Sequence, residues 1–271
     1  MQVEDGDCGL GVQAPVASGV VLPHPAPNVS LACKGDVGNV RRKRILAAVT
    51  NQATYGASKH PTGLWLGELV HFYDKAVKNG HTVDVVSPAG GEVPLDPRSL
   101  DRLFADRTVR NYRADPAFMT SLKSTASVAD ADPDDYSTIF FTGGHGTMWD
   151  FPDNADLRGT AEAIYGGGGI VSSVCHGACA LINLRDADRN PLVRNRTVTG
   201  FATVEERLAG VKGRVPFLLE DELRAKGAKY VRSTVPMTPH AVRDGRLITG
   251  QNPVSTKAVS DLVLAALAEA E

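Results

Sequence analysis

Cysteine is scarce in this chain, with four in 271 residues, and two of them, Cys175 and Cys179, share one helical turn. That is no disulfide framework of the kind that staples small secreted domains, so a reducing cytoplasm is the expected compartment. Neither sign of charge dominates. The 29 Lys and Arg face 31 Asp and Glu, a formal net charge of -2, which leaves no electrostatic footprint for a nucleic-acid partner. No apolar run approaches the length that spans a bilayer, so no membrane partner is expected. The acidic start, interrupted by prolines, does not read as a signal peptide. What remains is ordinary: 42% hydrophobic and 22% charged residues, enough to build the core of a single α/β domain.

Residues 1–40 stand apart as a Gly- and Pro-rich extension without periodicity, read as a flexible tail or a surface-draped segment. Cys8, His24 and Cys33 within it are too irregularly spaced to read as metal ligands. Residues 41–271 form the catalytic domain in this reading. After the basic run Arg41 to Arg44, Ile45 to Val49 is a buried first strand. Residues 63–79 carry a helical apolar face of Leu64, Leu66, Leu69, Val70, Tyr73 and Val77, and 82–87 a second strand. Residues 92–130 read as an insertion of loops with a short helix near 117–122. Further strands are expected at 136–142, 196–200 and 229–233. Helices are expected at 156–165, 204–208, 216–226 and 255–270, with a hairpin turning at Asp244-Gly245. Strands alternating with helices predict a doubly wound, mostly parallel sheet, which binds ligands beyond the carboxyl ends of its strands.

The organising stretch is Gly166 to Leu184, GGGGIVSSVCHGACALINL. A β-branched run stops at Cys175, and a helix-compatible run begins after His176-Gly177. A thiol at such a corner projects from the end of the sheet, as the serine does in G-x-S-x-G hydrolases. A helix N-terminus behind it predicts a lowered thiol pKa. The bland reading is a buried structural cysteine. His176, adjacent in sequence, need not touch the sulfur, and is read as a base or as a ring held by a carboxylate elsewhere. The Gly144 and His176 amides are candidates for an oxyanion hole. Gly143-Gly-His145-Gly146 otherwise reads as a plain strand-end turn.

Glu68 sits near the apolar face of its helix, where a carboxylate tends toward a raised pKa and suits proton transfer beside a thiol; the alternative is a snorkelling surface residue. Glu205-Glu206 opens a short helix, where acidic residues are favoured for local reasons alone. Cys179 reads as core packing. A metal site from Cys175, His176 and Cys179 is disfavoured, because neighbouring ligands rarely converge. His60, His71, His81 and His240 have no nameable partners and default to structural or surface roles.

Taken together, Gly143-Gly-His-Gly146, Val174-Cys-His-Gly177, Thr199-Gly-Phe201 with Glu205-Glu206, Pro216 to Asp221 and Leu247 to Pro253 resemble the PfpI, or type 1 glutamine amidotransferase-like, superfamily. Within it they are most similar to the branch of glyoxalase III enzymes and heat-shock chaperones. Gly63-Leu-Trp-Leu-Gly-Glu68 and Pro94-Leu-Asp-Pro97 extend the resemblance over roughly residues 43–270. It implies a flavodoxin-like fold, usually as a homodimer. Cys175 becomes the nucleophile, with His176 beside it, Glu206 completing a triad and Glu68 hydrogen-bonded to the cysteine. Gly143, Gly144, His145 and Gly177 fall to the oxyanion and substrate-binding set. The implied reaction turns methylglyoxal, or a related small-molecule 2-oxoaldehyde, into a 2-hydroxy acid without glutathione, metal or other cofactor. Ala178-Cys179 departs from the Pro-Ala common at that point in the family.

Two rivals remain at this stage. One is another cysteine-dependent reaction on the same scaffold: amide or peptide hydrolysis, protein deglycation or isonitrile hydration. A true glutamine amidotransferase needs a His-x-Glu pair downstream, and Ala241-Val242 after His240 does not supply it. The other is a non-enzymatic holdase chaperone or redox sensor in which Cys175 is oxidised.

Overall fold

The computed structural model of the protein describes residues 43–270. The expected extension over 1–40, with Cys8, His24 and Cys33, lies outside the described residues. In chain order the elements are β1 (Arg44–Ala48), α1 (Leu66–Lys78), β2 (Thr82–Ser87), α2 (Arg107–Ala114), α3 (Pro116–Ser121) and β3 (Ala126–Ser127). Then come β4 (Thr138–Phe141), α4 (Thr147–Asp150), α5 (Ala155–Gly166), β5 (Ile170–Val174), β6 (Thr197–Val198) and α6 (Thr203–Leu208). The last are α7 (Leu219–Ala225), β7 (Lys229–Tyr230), β8 (Ala241–Asp244), β9 (Leu247–Gly250) and α8 (Thr256–Glu269).

The main sheet runs β3-β2-β1-β4-β5-β9-β8. Every pairing in it is parallel except β8 with β9. The central strands are covered on both faces: all of β4 and β5, Thr138, Ser172 and Ser173 included, and four of the five residues of β1 are buried. Helices flank the sheet. Phe72 of α1 stacks on Phe140 of β4 with ring centroids 3.8 Å apart, fixing α1 against the centre. The buried stripe of α1 runs through Leu66, Leu69, Val70, Phe72 and Ala76. Val77, expected on that face, is exposed, because the stripe centres on Leu69, Phe72 and Ala76 rather than on Tyr73 and Val77.

Chain order leaves β1 in both directions, toward β2 on one side and β4 on the other. This reversal opens a crevice at the carboxyl ends of the neighbouring strands. β4 and β5 end there in register, Phe141 beside Ser173, so the turns that follow them emerge together. The predicted hairpin is present as β8 and β9. The segments expected as strands at 196–200 and 229–233 pair instead with each other, as the parallel β6–β7 ladder. Tyr230 Oη donates to Gly200 O at 2.7 Å, pinning the segment that leads into α6. The irregular region 92–130 contains α2, α3 and β3, and it supplies one wall of the crevice.

Candidate active site

The turn after β5 is sharp because Cys175 adopts φ +57, a left-handed conformation that costs any residue with a β-carbon. The sequence predicted an α-helix behind this corner. The structure has a 3-10 helix from Cys175 to Asn183, beginning on the cysteine itself. Glycines let the neighbouring chain close in. A β-carbon on Gly143 would lie 2.5 Å from Glu68 Oε2 and 2.9 Å from Cys175 Cβ. Gly144, at φ +109, passes against the Gly63 carbonyl, and Gly177 packs on the Phe141 and Thr142 carbonyls.

Cys175 is 2% exposed, yet it forms the floor of a cavity of about 560 Å³ with Gly144, His145 and His176. Its Sγ lies 3.3 Å from His176 Nδ1, so adjacent residues do meet here; the left-handed turn folds the ring back onto the sulfur. His176 Nε2 is 2.9 Å from Glu206 Oε2, and His145 Nε2 is 2.9 Å from Glu206 Oε1. One carboxylate thus bridges two imidazoles whose rings sit 3.9 Å apart. Burial alone would raise the Glu206 pKa, but His176 and the bonds from both histidines hold it well below the usual carboxylate range. Acidic residues in a first helical turn usually serve that turn alone; here Glu206 is buried and aimed inward.

Glu68 projects from α1 beneath Cys175, fully buried. Its Oε2 accepts the Gly143 amide at 2.6 Å, while Oε1 makes no well-formed hydrogen bond. Burial pushes this carboxyl up to about 8, outweighing the Cys175 thiol and the Gly143 amide, which both favour the ion. It is therefore mostly protonated at neutral pH. The predicted lowering of the Cys175 pKa is overturned: burial, then the Glu68 charge, push the thiol well up, against the His176 amide. A short 3-10 helix does not outweigh burial of the thiol over the Glu68 carboxyl. The acceptor within reach of the thiol proton is His176 Nδ1, 3.3 Å away.

Sequence reasoning missed the residues that hold His145. Arg98 Nη2 lies 3.0 Å from His145 Nδ1, and it reaches Tyr55 Oη at 2.6 Å. The guanidinium grips both oxygens of buried Asp96, at 3.0 and 2.7 Å. The Pro94 to Pro97 motif stops one residue short of Arg98, and no local pattern marks its reach of 47 positions to His145. An arginine has no acceptor and stays protonated. His145 Nδ1 must therefore accept, its Nε2 proton points at Glu206 Oε1, and burial keeps the ring neutral with a pKa of about 4. The same carboxylate takes the Nε2 proton of His176, leaving His176 Nδ1 open toward the sulfur.

The donor atoms of His145, His176 and Glu206 lie within 4.8 Å of one another, close enough to share a cation. A metal would have to strip both Nε2 protons and sit near the Arg98 charge, so these residues are better matched to a proton network. Cys179 is buried away from this array, with Sγ directed at Thr147 O, 3.3 Å away. Glu205 also turns inward, accepting Met237 N and Asn252 Nδ2 at 2.7 and 2.8 Å, and it braces the cavity wall. Of the histidines expected to lack partners, His71 faces Asp106 across 3.0 Å, and His81 Nδ1 receives the Lys43 amide at 3.4 Å.

Fold and site define an α/β protein with a thiol on a strand-end elbow at the carboxyl edge of the sheet. The chain belongs to the DJ-1/PfpI family, whose pattern matches residues 65–266. It is 31% identical over 232 residues to Glyoxalase 3 of Candida albicans, covering 83% of this chain and 98% of that one. Glutathione-independent glyoxalase HSP31 of Saccharomyces cerevisiae is 34% identical over 223 residues, 79% of this chain and 93% of the relative. The crystal structure of glyoxalase III from Candida albicans superposes with a TM-score of 0.76 at 31% identity, over 83% of this chain and 97% of the other. Rapid Encystment Protein 24 KDa of Francisella tularensis gives a TM-score of 0.80 at 37% identity, over 83% and 99%.

Proposed function

We infer that the protein is a glutathione-independent glyoxalase, an enzyme that turns a 2-oxoaldehyde such as methylglyoxal into a 2-hydroxy acid. The observation that carries this reading is the line Cys175–His176–Glu206 at the cavity floor, in a chain that aligns over nearly the whole of relatives bearing that name. The thiol that glutathione would otherwise lend is then the protein's own.

The steps follow from the geometry. Cys175 gives its proton to His176 Nδ1 as sulfur bonds to the aldehyde carbon, and the new alkoxide rests near the Gly144 and His176 amides before it is protonated. His176, its proton returned to that alkoxide, next removes the hydrogen on the same carbon as a proton, and the protonated Glu68 carboxyl gives its proton to the C2 carbonyl oxygen, giving an enediol. Reprotonation at C2, with return of the C1 carbonyl, leaves a 2-hydroxy thioester. C1 has been oxidised and C2 reduced, so no outside electrons are needed. Water then cleaves the thioester, releasing the acid and the thiol.

The residue roles are Cys175 as nucleophile, His176 as base, Glu206 as its partner, Glu68 as proton carrier, and Gly143, Gly144, His145 and Gly177 as the frame of the oxyanion pocket. Purified protein is expected to form lactate from methylglyoxal without glutathione, and Cys175→Ala to lose about 10³-fold or more of that rate. Undiminished turnover in that variant would remove the nucleophile from the scheme. The reading also carries a homodimer in the cytoplasm, checked by light scattering and cell fractionation. Residues 41–271 are proposed to hold the whole activity, so a chain lacking 1–40 is expected to turn over at the full rate.

A further inference from the structure

The cavity over Cys175 is oversized for a three-carbon substrate. Its volume of about 560 Å³ falls within the about 300–1,000 Å³ of sites that enclose drug-sized ligands. Above the polar floor its walls are Trp65, Phe104, Phe201, Leu208, Met237 and Val254. Phe104, Leu208, Met237 and Val254 are exposed by 47%, 65%, 45% and 51%. Single exposed apolar residues need no explanation. These four come from four separate segments and converge on one mouth, leading down to the thiol. Leu208 stands two residues past Glu206, so the helix that supplies the carboxylate also builds the rim.

The charges nearby narrow the ligand further. Arg98 lines the cavity, but buried Asp96 grips its Nε and Nη2 and balances its charge, so the wall carries no net positive charge there. Asp101, also on the wall, disfavours an anion. A group filling this space is uncharged and apolar.

We propose, building on the glyoxalase reading above, that the preferred substrates are 2-oxoaldehydes bearing a large apolar substituent, aromatic or branched aliphatic, with the substituent lying against Trp65, Phe104, Leu208 and Val254. The reacting carbons and the proton steps are those already given; only the group on C2 differs.

The test compares kcat/KM of the full-length protein for methylglyoxal, phenylglyoxal and 4-methyl-2-oxopentanal, each corrected for hydration of the aldehyde, with the 2-hydroxy acid products identified by mass spectrometry. The two bulky substrates are expected to exceed methylglyoxal by about tenfold or more, the scale on which apolar pockets discriminate. Leu208→Asp and Val254→Asp, both at exposed positions, are expected to cut that ratio by about fivefold or more. A wild-type ratio at or below one, with methylglyoxal turned over, overturns this inference and leaves the glyoxalase reading standing. A ratio unmoved in both variants overturns it as well. No turnover of any of the three removes the glyoxalase reading and this inference with it.

Discussion

Arg98 Nη2 donates to His145 Nδ1 across 3.0 Å, while buried Asp96 clamps the same guanidinium with both oxygens. A donor with no lone pair at the head of the line sets each proton after it, through His145, Glu206 and His176 to the sulfur. Burial, then His176, and further along Arg98, lower the His145 pKa to about 4. Arg98→Met removes one of those causes, so the His145 pKa rises, and a protonated His145 draws the Glu206 charge away from His176. The acid limb of the kcat/KM profile is expected to move to higher pH. The loss is about tenfold near pH 6, the scale of one charge-assisted hydrogen bond, and smaller at pH 8. Arg98→Lys keeps a cationic donor and should restore part of the limb; an acid limb that stays put in Arg98→Met counts against the relay.

Glu206→Gln tests the same logic from the middle of the line. The amide has one oxygen and one NH2, and His145 can offer only its Nε2 proton, so the oxygen faces His145. The NH2 then faces His176 Nε2, which must accept, and the His176 proton moves to Nδ1, where it blocks transfer from Cys175. About 10³- to 10⁴-fold loss in kcat is expected, the scale of a catalytic histidine locked in the wrong tautomer. Alkylation of Cys175 by iodoacetamide, followed across pH, should slow in parallel. Unchanged alkylation with lost turnover would place the role of Glu206 elsewhere.

Glu68 binds a proton up to about pH 8 in the fold, against an ordinary value near 4.5. Between those limits the folded state holds more protons than the unfolded one, so stability falls as pH rises through the window. The favourable share is complete below pH 4.5 and gone above pH 8. Glu68→Gln cannot ionise and escapes that loss. Its Tm relative to wild type should therefore be higher at pH 8 than at pH 4.5, at about 2–4 °C for each kcal/mol gained. Its kcat should fall by about 10²-fold, the usual worth of a positioned proton carrier. A Tm difference that does not vary with pH would mean that Glu68 is ionised in the fold.

Cys179 is buried with Sγ directed at Thr147 O, and burial drives its pKa far above the ordinary thiol value. Cys179→Ala is expected to keep kcat within about twofold, at a stability cost of ~1 kcal/mol for a trimmed core side chain. Peptide mapping after native alkylation should find Cys175 modified and Cys179 intact. Modification of both at similar rates would contradict the packing.

The fold was legible because its signals are local. The apolar, β-branched character of β4 and β5, the glycines that follow, and the Asp244-Gly245 turn all announce themselves within a few residues. Cys175 and its corner were legible for the same reason. The thiol's pKa was not, because burial and Glu68 reach it from a helix more than a hundred positions away and outweigh the local backbone. Arg98 was invisible because nothing near it shows that its acceptor is the histidine after β4. The pairing of 197–198 with 229–230 outside the main sheet was hidden likewise, since periodicity marks a strand but not its neighbour.

The left-handed backbone at Cys175 sets durability against chemistry. Such a conformation costs about 1–3 kcal/mol at a residue with a β-carbon, and glycine adopts it freely. A mutation to glycine at position 175 would thus relieve the chain while abolishing its sulfur. A library screened for heat resistance alone would enrich inert protein at that position, so selection for a hardier catalyst has to score turnover in the same round.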